Sequence, residues 1–281
     1  MEPNLEFLPL SVRRYLDRVF SLLSALLEKD LVALYVFGSV VGGECCDTSD
    51  LDLLIVLDDG TPSQLIRYVD GLLESLEAEY ELVSADRSLV GRVLRAIERS
   101  TGMFVSHFLC RRSDLLRGRF SKVFSTNLLM SKLLAPASIV FGSVLSRKVK
   151  VYGEDILGGV TIPKPSRLTL LKSLAMNLLL SLFSLLLYPL TPRANRYEME
   201  AAKWSILASY YFLKKTNPGL NEALKFFAEL GLPKTYCERL LQLRMRYEND
   251  VRFGLSTPCY VLKIHVKALN RVGLISMDKQ K

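Results

Sequence analysis

Two aspartates one residue apart, Asp50 and Asp52, follow Ser39 at a distance of eleven and thirteen positions. Leu51 separates them, and the apolar run Leu53-Leu54-Ile55-Val56 comes next. Upstream, a second apolar run ends at Phe37 and turns through Gly38-Ser39. Side chains two apart on a strand face the same side. A strand over 51–57 therefore projects both carboxylates together, toward the Gly-Ser turn. Such neighbours repel unless a cation stands between them. Magnesium, or manganese in its place, takes oxygen ligands and keeps phosphate oxygens in its shell. Gly38 lets the backbone approach a phosphate closely, the amides that open the next turn point at an anion, and Ser39 adds a hydroxyl. Phosphate-cradling amides opposite a paired-carboxylate metal site suit phosphoryl chemistry on a nucleotide. Taken singly, Asp50 reads as a turn residue and Asp52 as a half-exposed strand carboxylate; the joint pattern carries the chemistry.

The elements that must position these groups follow from periodicity. Val12, Leu16, Val19, Leu23 and Leu27 recur like one face of a helix over 10–29. Residues 31–37 and 51–57 are short apolar runs bounded by turn residues, the second closed by Asp58-Asp59-Gly60-Thr61-Pro62, and both read as buried strands. Helices are expected over 62–77 and 87–100, a strand over 103–110, a helix around 121–142 and a last short strand over 148–153. The Gly/Pro-rich segment 157–167 reads as a domain crossing. Beyond it nearly every signal is helical, over 194–215, 221–230, 234–248 and 258–271, which together with an apolar helix near 173–192 predicts a bundle of four or five helices. The expected fold class is α/β or α+β with a short mixed sheet over 1–157, followed by an all-α bundle over 158–281 that binds substrate or dimerises.

The segment Phe37-Gly38-Ser39 with Ser49-Asp50-Leu51-Asp52-Leu53-Leu54-Ile55-Val56 resembles the signature of the DNA polymerase beta-like nucleotidyltransferase superfamily, and in particular its prokaryotic aminoglycoside- and toxin-type members with a C-terminal helical domain. In that superfamily an apolar-Gly-[Gly/Ser] turn precedes an Asp-apolar-[Asp/Glu] strand at about this spacing. The match is tight over Tyr35 to Leu57 and loose over the rest of 1–157. The resemblance implies that Gly38 and Ser39 bind the triphosphate, that Asp50 and Asp52 ligate the divalent metal, and that Ser49 supports them with a hydrogen bond. Many members carry a third carboxylate on a later strand. Here the strand around Phe104 to Cys110 has Ser106 and His107 at its centre and no acid, with Glu81 a weaker substitute.

The pentapeptide Val-Phe-Gly-Ser-Val occurs twice, at 36–40 and at 140–144. Glu154 stands eleven residues beyond Ser143, but Asp155 adjoins it, and neighbouring acids on a strand point to opposite faces. The second copy therefore reads as a helix ending near Gly142 and a turn, not as a duplicated site. The Tyr152-Gly153-Glu154 segment is similar to one that closes the catalytic domain of related enzymes, and it supports the boundary.

In the helical half, Glu198, Glu200 and Lys203 are the polar residues of the helix over 194–215. Glu200 and Lys203 suit an exposed helix pair. The sharper expectation makes Glu198 or Glu200 the general base for an acceptor hydroxyl, with Lys203 on a phosphate. Residues Ser173 to Pro192 run without a charge, long enough to cross a bilayer. Asn177, Ser181 and Ser184 recur inside the run and Pro189 breaks it, so it reads first as the buried centre of the bundle and second as a membrane or dimer interface.

A net charge of +8 with 49% apolar residues allows a sizeable core and an anionic partner. Five cysteines with no paired spacing and an N-terminus lacking a basic leader region point to a reducing, cytoplasmic setting. What the resemblance implies is transfer of a nucleoside monophosphate from an NTP, ATP among them, to an acceptor hydroxyl with release of pyrophosphate. The acceptor is an RNA end such as tRNA, a protein side chain or a small polyhydroxylated molecule, with the positive charge favouring the first two. No membrane partner is expected, and a homodimer through the helical domain is. The alternative is a nucleotide-binding or protein-interaction module that has lost catalysis.

Overall fold

The computed structural model describes residues 10–42, 51–80 and 105–278, together with Gly91, Leu94 and Glu98. They fall into two compact units, one within 1–43, 50–129 and 147–162, the other within 130–146 and 163–281.

The first unit is built on a four-stranded mixed sheet. Helix α1 (Leu10–Leu27) leads into strand β1 (Leu31–Phe37), which is antiparallel to β2 (Asp52–Leu57) on one side and to β4 (Lys148–Gly153) on the other, while β2 runs parallel to β3 (His107–Arg111). The strand order is β3-β2-β1-β4. β1 and β2 are buried almost throughout because both are continuous apolar runs in the middle of the sheet. α1 buries Leu16, Val19, Leu23 and Leu27, the stripe its sequence spacing foretells. Between β2 and helix α2 (Ser63–Glu79), Gly60 donates its N–H to Asp58 Oδ1 at 2.8 Å, and Pro62 precedes the first helical residue. The expected helix over 87–100 lies almost wholly outside the described residues, apart from helical positions 91, 94 and 98.

After α3 (Arg112–Leu116), the single helix expected around 121–142 is three: α4 (Phe120–Val123), α5 (Leu128–Leu133) and α6 (Ala137–Ser146). Ser125 adopts a positive φ of 49°, which ends α4, and the Asn127 side chain accepts the Leu129 N–H at 2.8 Å, which starts α5. Pro136 then opens α6, its carbonyl accepting the N–H of Ile139 and Val140. The second Val-Phe-Gly-Ser-Val lies wholly inside α6, which runs four residues past Gly142. Gly142 is there for packing, since a Cβ on it would overlap the Tyr211 ring.

The second unit gathers α6 with α7 (Arg167–Leu187), α8 (Ala194–Lys214), α9 (Leu220–Glu229), α10 (Lys234–Met245) and α11 (Val251–Asp278). Ser166 caps α7 through a reciprocal pair with Thr169, its Oγ accepting the Thr169 N–H at 3.1 Å. The centre of this unit is α8, not α7. Met199, Ala202, Ile206 and Tyr210 on α8 pack with Leu224 and Phe227 of α9, Leu240 and Leu243 of α10 and Ile264 of α11.

The apolar helix α7 is turned the opposite way from the expectation of a core helix. It buries Ser173, Asn177, Ser181 and Ser184 and leaves Leu168, Leu179 and Leu186 exposed at 64%, 53% and 71%. Two of the buried serines are satisfied at close range: Ser181 Oγ donates to Glu198 Oε2 at 2.5 Å and Ser184 Oγ to the Ala194 carbonyl at 2.6 Å. α7 has the length and composition to cross a membrane, with 33% of its most apolar window buried in the protein. Helix α11 begins seven residues before Pro258, since Asp250 caps it by accepting the Phe253 N–H at 2.9 Å.

Candidate active site

The turn after β1 is tight because Gly38 adopts φ +86°, a region an L side chain rarely enters. A second constraint acts on the same atom. The Asp52 carboxylate lies directly against the Gly38 Cα, so a Cβ at residue 38 would overlap Asp52 Oδ2. The register explains the approach: Phe37, the last residue of β1, stands opposite Asp52, the first residue of β2. Leu51 and Val40, fully buried on either side, anchor both ends of the crossing. Ser39 is partly exposed and opens a short 3-10 turn over Val40–Gly42. The structure thus brings Gly38, Ser39 and Asp52 into one cluster. Ser49, Asp50 and Glu81 lie outside the described residues.

Opposed residues on antiparallel strands point to the same face. Phe37 is opposite Asp52 on β2 and opposite Lys148 on β4, so these three share a face. Phe37 also stacks on Phe108, centroids 6.1 Å apart. Level with Asp52 on the third strand is Ser106, buried, whose carbonyl takes the Leu53 N–H at 2.8 Å. The next residue, His107, is level with Leu53 and serves the opposite face. There its Nδ1 meets Glu77 Oε1 at 2.6 Å and its Nε2 meets Asp70 Oδ1 at 3.0 Å, both on α2. Burial alone would lower the imidazole pKa, but Asp70 and Glu77 overcome it and raise it to about 9. His107 is an imidazolium that ties α2 to the back of the sheet, not a group at the Gly38–Asp52 cluster.

Glu154 pairs with Arg112 at 3.0 Å on the surface. The crossing segment beside it is held by Tyr35, whose hydroxyl donates to the Glu154 carbonyl at 2.8 Å and accepts the Ile156 N–H at 2.9 Å. Arg111 binds the Thr61 carbonyl at 2.7 Å.

The remaining predicted residues sit on α8 in the second unit. Glu198 is fully buried, and burial pushes its carboxyl up to about 8 against the hydrogen bond from Ser181. Its Oε1 has no partner among the described residues. Glu200, two positions on, meets Lys203 and, at 3.4 Å, Arg244. Burial opposes its ionisation, but Lys203 and Arg244 hold its pKa below the usual carboxylate value. The Lys203 ammonium also lies 5.5 Å from the Trp204 ring centroid. In the basic stretches 111–122 and 239–246, Arg239 is engaged by Glu248 and by Asp250 at 2.6 Å, Arg244 by Glu200, and Arg119 by Asp114 at 3.0 Å.

Among the described residues no group of three or more His, Cys, Asp or Glu is arranged to hold a metal ion. Asp52 is one half of the predicted pair, and its hard oxygen donors, beside a positive-φ glycine turn, are of the type that would suit a divalent cation such as magnesium. Lys148 and Ser106 are the two neighbours that sequence reasoning did not assign to the cluster. The strand over 148–153 was legible, but its register against β1 was not.

Comparison with known proteins adds two findings. Residues 23–103 match the family model described as "Polymerase beta, Nucleotidyltransferase", a span that contains Gly38, Ser39, Ser49, Asp50 and Asp52. Five or more solved chains resemble this one. Among them is spectinomycin adenyltransferase AAD(9) from Enterococcus faecialis, solved with ATP and spectinomycin, at 13% identity and a TM-score of 0.58, covering 91% of this chain and 98% of that one. At that identity the likeness is one of fold. No curated protein matches the sequence.

Proposed function

We propose, for a chain whose residues 23–103 match the family model of polymerase beta nucleotidyltransferases, that it transfers a nucleoside monophosphate from an NTP to an acceptor hydroxyl and releases pyrophosphate. The observation that carries this reading is the contact of the Asp52 carboxylate with the Gly38 turn. It sets an oxygen donor for a divalent cation beside backbone and a serine hydroxyl suited to phosphate.

Asp50 and Asp52 would hold the magnesium, which when bound neutralises charge on the phosphate oxygens. Gly38 and Ser39 would bind the triphosphate, with Ser49 supporting the carboxylates. The acceptor oxygen forms a bond to the α-phosphorus, the bond from that phosphorus to the bridging oxygen of the β-phosphate breaks, and the hydroxyl proton passes to a base. Burial raises the Glu198 carboxyl to about 8, which favours its protonated form near neutral pH. Glu200, ionised between Lys203 and Arg244, is the carboxylate proposed for the acceptor side, with Lys203 beside it on a phosphate.

Two observations bear on the acceptor. Two of the three arginines in 239–246, Arg239 and Arg244, are engaged by carboxylates, which leaves fewer cations there for an RNA backbone. A protein of similar fold was solved with ATP and spectinomycin. A small polyhydroxylated acceptor is therefore the first reading. The charge of +8 keeps RNA ends and protein side chains as the second. The free thiols of Cys110, Cys237 and Cys259 support a reducing, cytoplasmic setting for the reaction.

A homodimer is proposed with it, through the outer face of α7. Leu168 and Leu171 are exposed near Lys172, and beyond it Leu179, Leu182 and Leu186 are exposed along a charge-free stretch of α7. Beside it α11 exposes Leu255, Leu262 and Val266. Together these leave bare on the order of 800 Å², about what one partner contributes to a stable interface. An uncharged leucine stripe is its own complement, as a two-fold interface requires.

The test of the reaction is incubation with Mg²⁺ and each of four α-labelled NTPs, alongside pooled tRNA, cell protein and an aminoglycoside panel. Label moving to one acceptor class, and lost in an Asp50→Ala/Asp52→Ala double variant, is the expected result. NTP binding without transfer to any acceptor would favour the non-catalytic module.

A further inference from the structure

Lys148 opens β4 opposite Phe37, and Phe37 in turn is opposite Asp52 on its other flank. Asp52, Phe37 and Lys148 therefore form one row across three strands, on one face, at the end of β1 that runs into the Gly38 turn. Neighbouring strands lie about 4.8 Å apart, which puts the Asp52 and Lys148 backbones on the order of 10 Å from each other. A lysine stem covers much of that gap while leaving its ammonium free to move over Phe37.

The state of this ammonium differs from that of three arginines of the first unit. Arg111 is spent on the carbonyl of Thr61, Arg112 on Glu154 and Arg119 on Asp114. Lys148 is half-buried, and no hydrogen bond or ion pair engages its Nζ among the described residues. Lys150, two residues on and level with Tyr35, is exposed and one step further from the turn.

We propose that Lys148 binds the β- and γ-phosphates of the NTP, across β1 from Asp52. The inference rests on the nucleotidyl-transfer reading above. With the α-phosphate held on the Asp52 side of the turn, the triphosphate tail would cross the Gly38 turn toward β4. The electron pair of the breaking bond goes to the departing pyrophosphate, whose charge grows as it leaves. A fixed cation at that end stabilises the leaving group more than the bound substrate. Lys148 forms no covalent bond and moves no proton. It is a positioning cation for the phosphate tail, blind to the base, so its removal weakens all four NTPs alike.

The experiment uses the full chain with Lys148→Met, Lys148→Arg and Lys150→Met, in Mg²⁺, and compares binding of inorganic tripolyphosphate with binding of AMP. A charge-assisted contact to phosphate is worth tenfold or more in affinity, by order of magnitude. Lys148→Met is expected to weaken tripolyphosphate by about tenfold or more and to leave AMP unchanged, Lys148→Arg to recover most of the loss, and Lys150→Met to stay within about twofold of the native protein. Tripolyphosphate binding unchanged in folded Lys148→Met overturns the proposal, as does an equal loss for AMP, which marks a merely structural role. Because the readout is binding, a native protein that transfers no label while Lys148→Met still loses tripolyphosphate sinks the transfer reading and leaves the phosphate site standing.

Discussion

Replacing Gly38 with alanine separates the two demands made on that residue. Any L side chain at φ +86° pays a conformational penalty of about 1–2 kcal/mol. Gly231, at φ +83°, offers a matched control, since a Cβ there meets nothing closer than Lys267 Nζ at 3.5 Å. Gly231→Ala should therefore show the backbone penalty alone, a fall in Tm of about 2–4 °C per kcal/mol. Gly38→Ala should show a similar fall and one effect more. Its Cβ takes the place of Asp52 Oδ2, so the carboxylate must retreat by about 1 Å, and misplacing a catalytic group by that much costs on the order of 100-fold in rate. The assay is kcat/KM for label transfer from NTP, read beside thermal unfolding of both variants. Gly38→Ala is expected to lose about 100-fold while Gly231→Ala stays within about threefold. Equal activity in the two alanine variants would refute the claim that the Gly38–Asp52 contact builds the site.

Three further outcomes follow from the charge and packing of the two units. His107→Ala leaves Glu77 buried without its imidazolium and should destabilise the first unit by about 3–5 kcal/mol, read by denaturant unfolding. In the native protein this pair should stabilise fully below the ordinary histidine pKa of 6.5 and progressively less as pH rises through about 9, because the folded-state pKa is the raised one. Glu198 is raised from 4.5 to about 8 by burial, so its contribution to stability falls as pH climbs from 4.5 toward 8; Glu198→Gln, which matches the protonated acid, should remove that slope and raise Tm above pH 8. Leu179→Lys/Leu182→Lys, on the exposed face of α7, should convert a dimer to a monomer in sedimentation without lowering Tm by more than a few degrees; a native protein already monomeric at high concentration would count against the dimer.

Much of the site's scaffold was legible in the sequence because its signals are local. The apolar run 31–37 is β1 residue for residue, and the alternation of Asp50, Leu51 and Asp52 with the Gly-Ser turn located the cluster that Gly38 and Asp52 form. The departures arise where tertiary context or a cap overrides pattern. Ser125, Asn127 and Pro136 cut one apolar stretch into three helices. Pro258 reads as a helix start, yet Asp250 caps α11 two turns earlier. The run from Ser173 reads as a core helix by hydropathy, but Ser173, Ser181 and Ser184 find partners inside, on α11 and α8, and leucines such as Leu179 and Leu186 are left outside. Hydropathy counts how apolar a helix is and not which side its neighbours occupy. Lys148 went unassigned for a related reason, since nothing local says that its strand aligns it with Asp52 two strands away.

The most direct test of the central claim follows the two ends of the nucleotide separately. ATP labelled at the α-phosphate and ATP labelled at the γ-phosphate are supplied in parallel to the native protein, with Mg²⁺ and the acceptor found in the screen. The account predicts that α-label stays on the acceptor while γ-label leaves as pyrophosphate, and that Asp52→Asn abolishes both. Recovery of γ-label on the acceptor would make the chain a kinase and contradict the account.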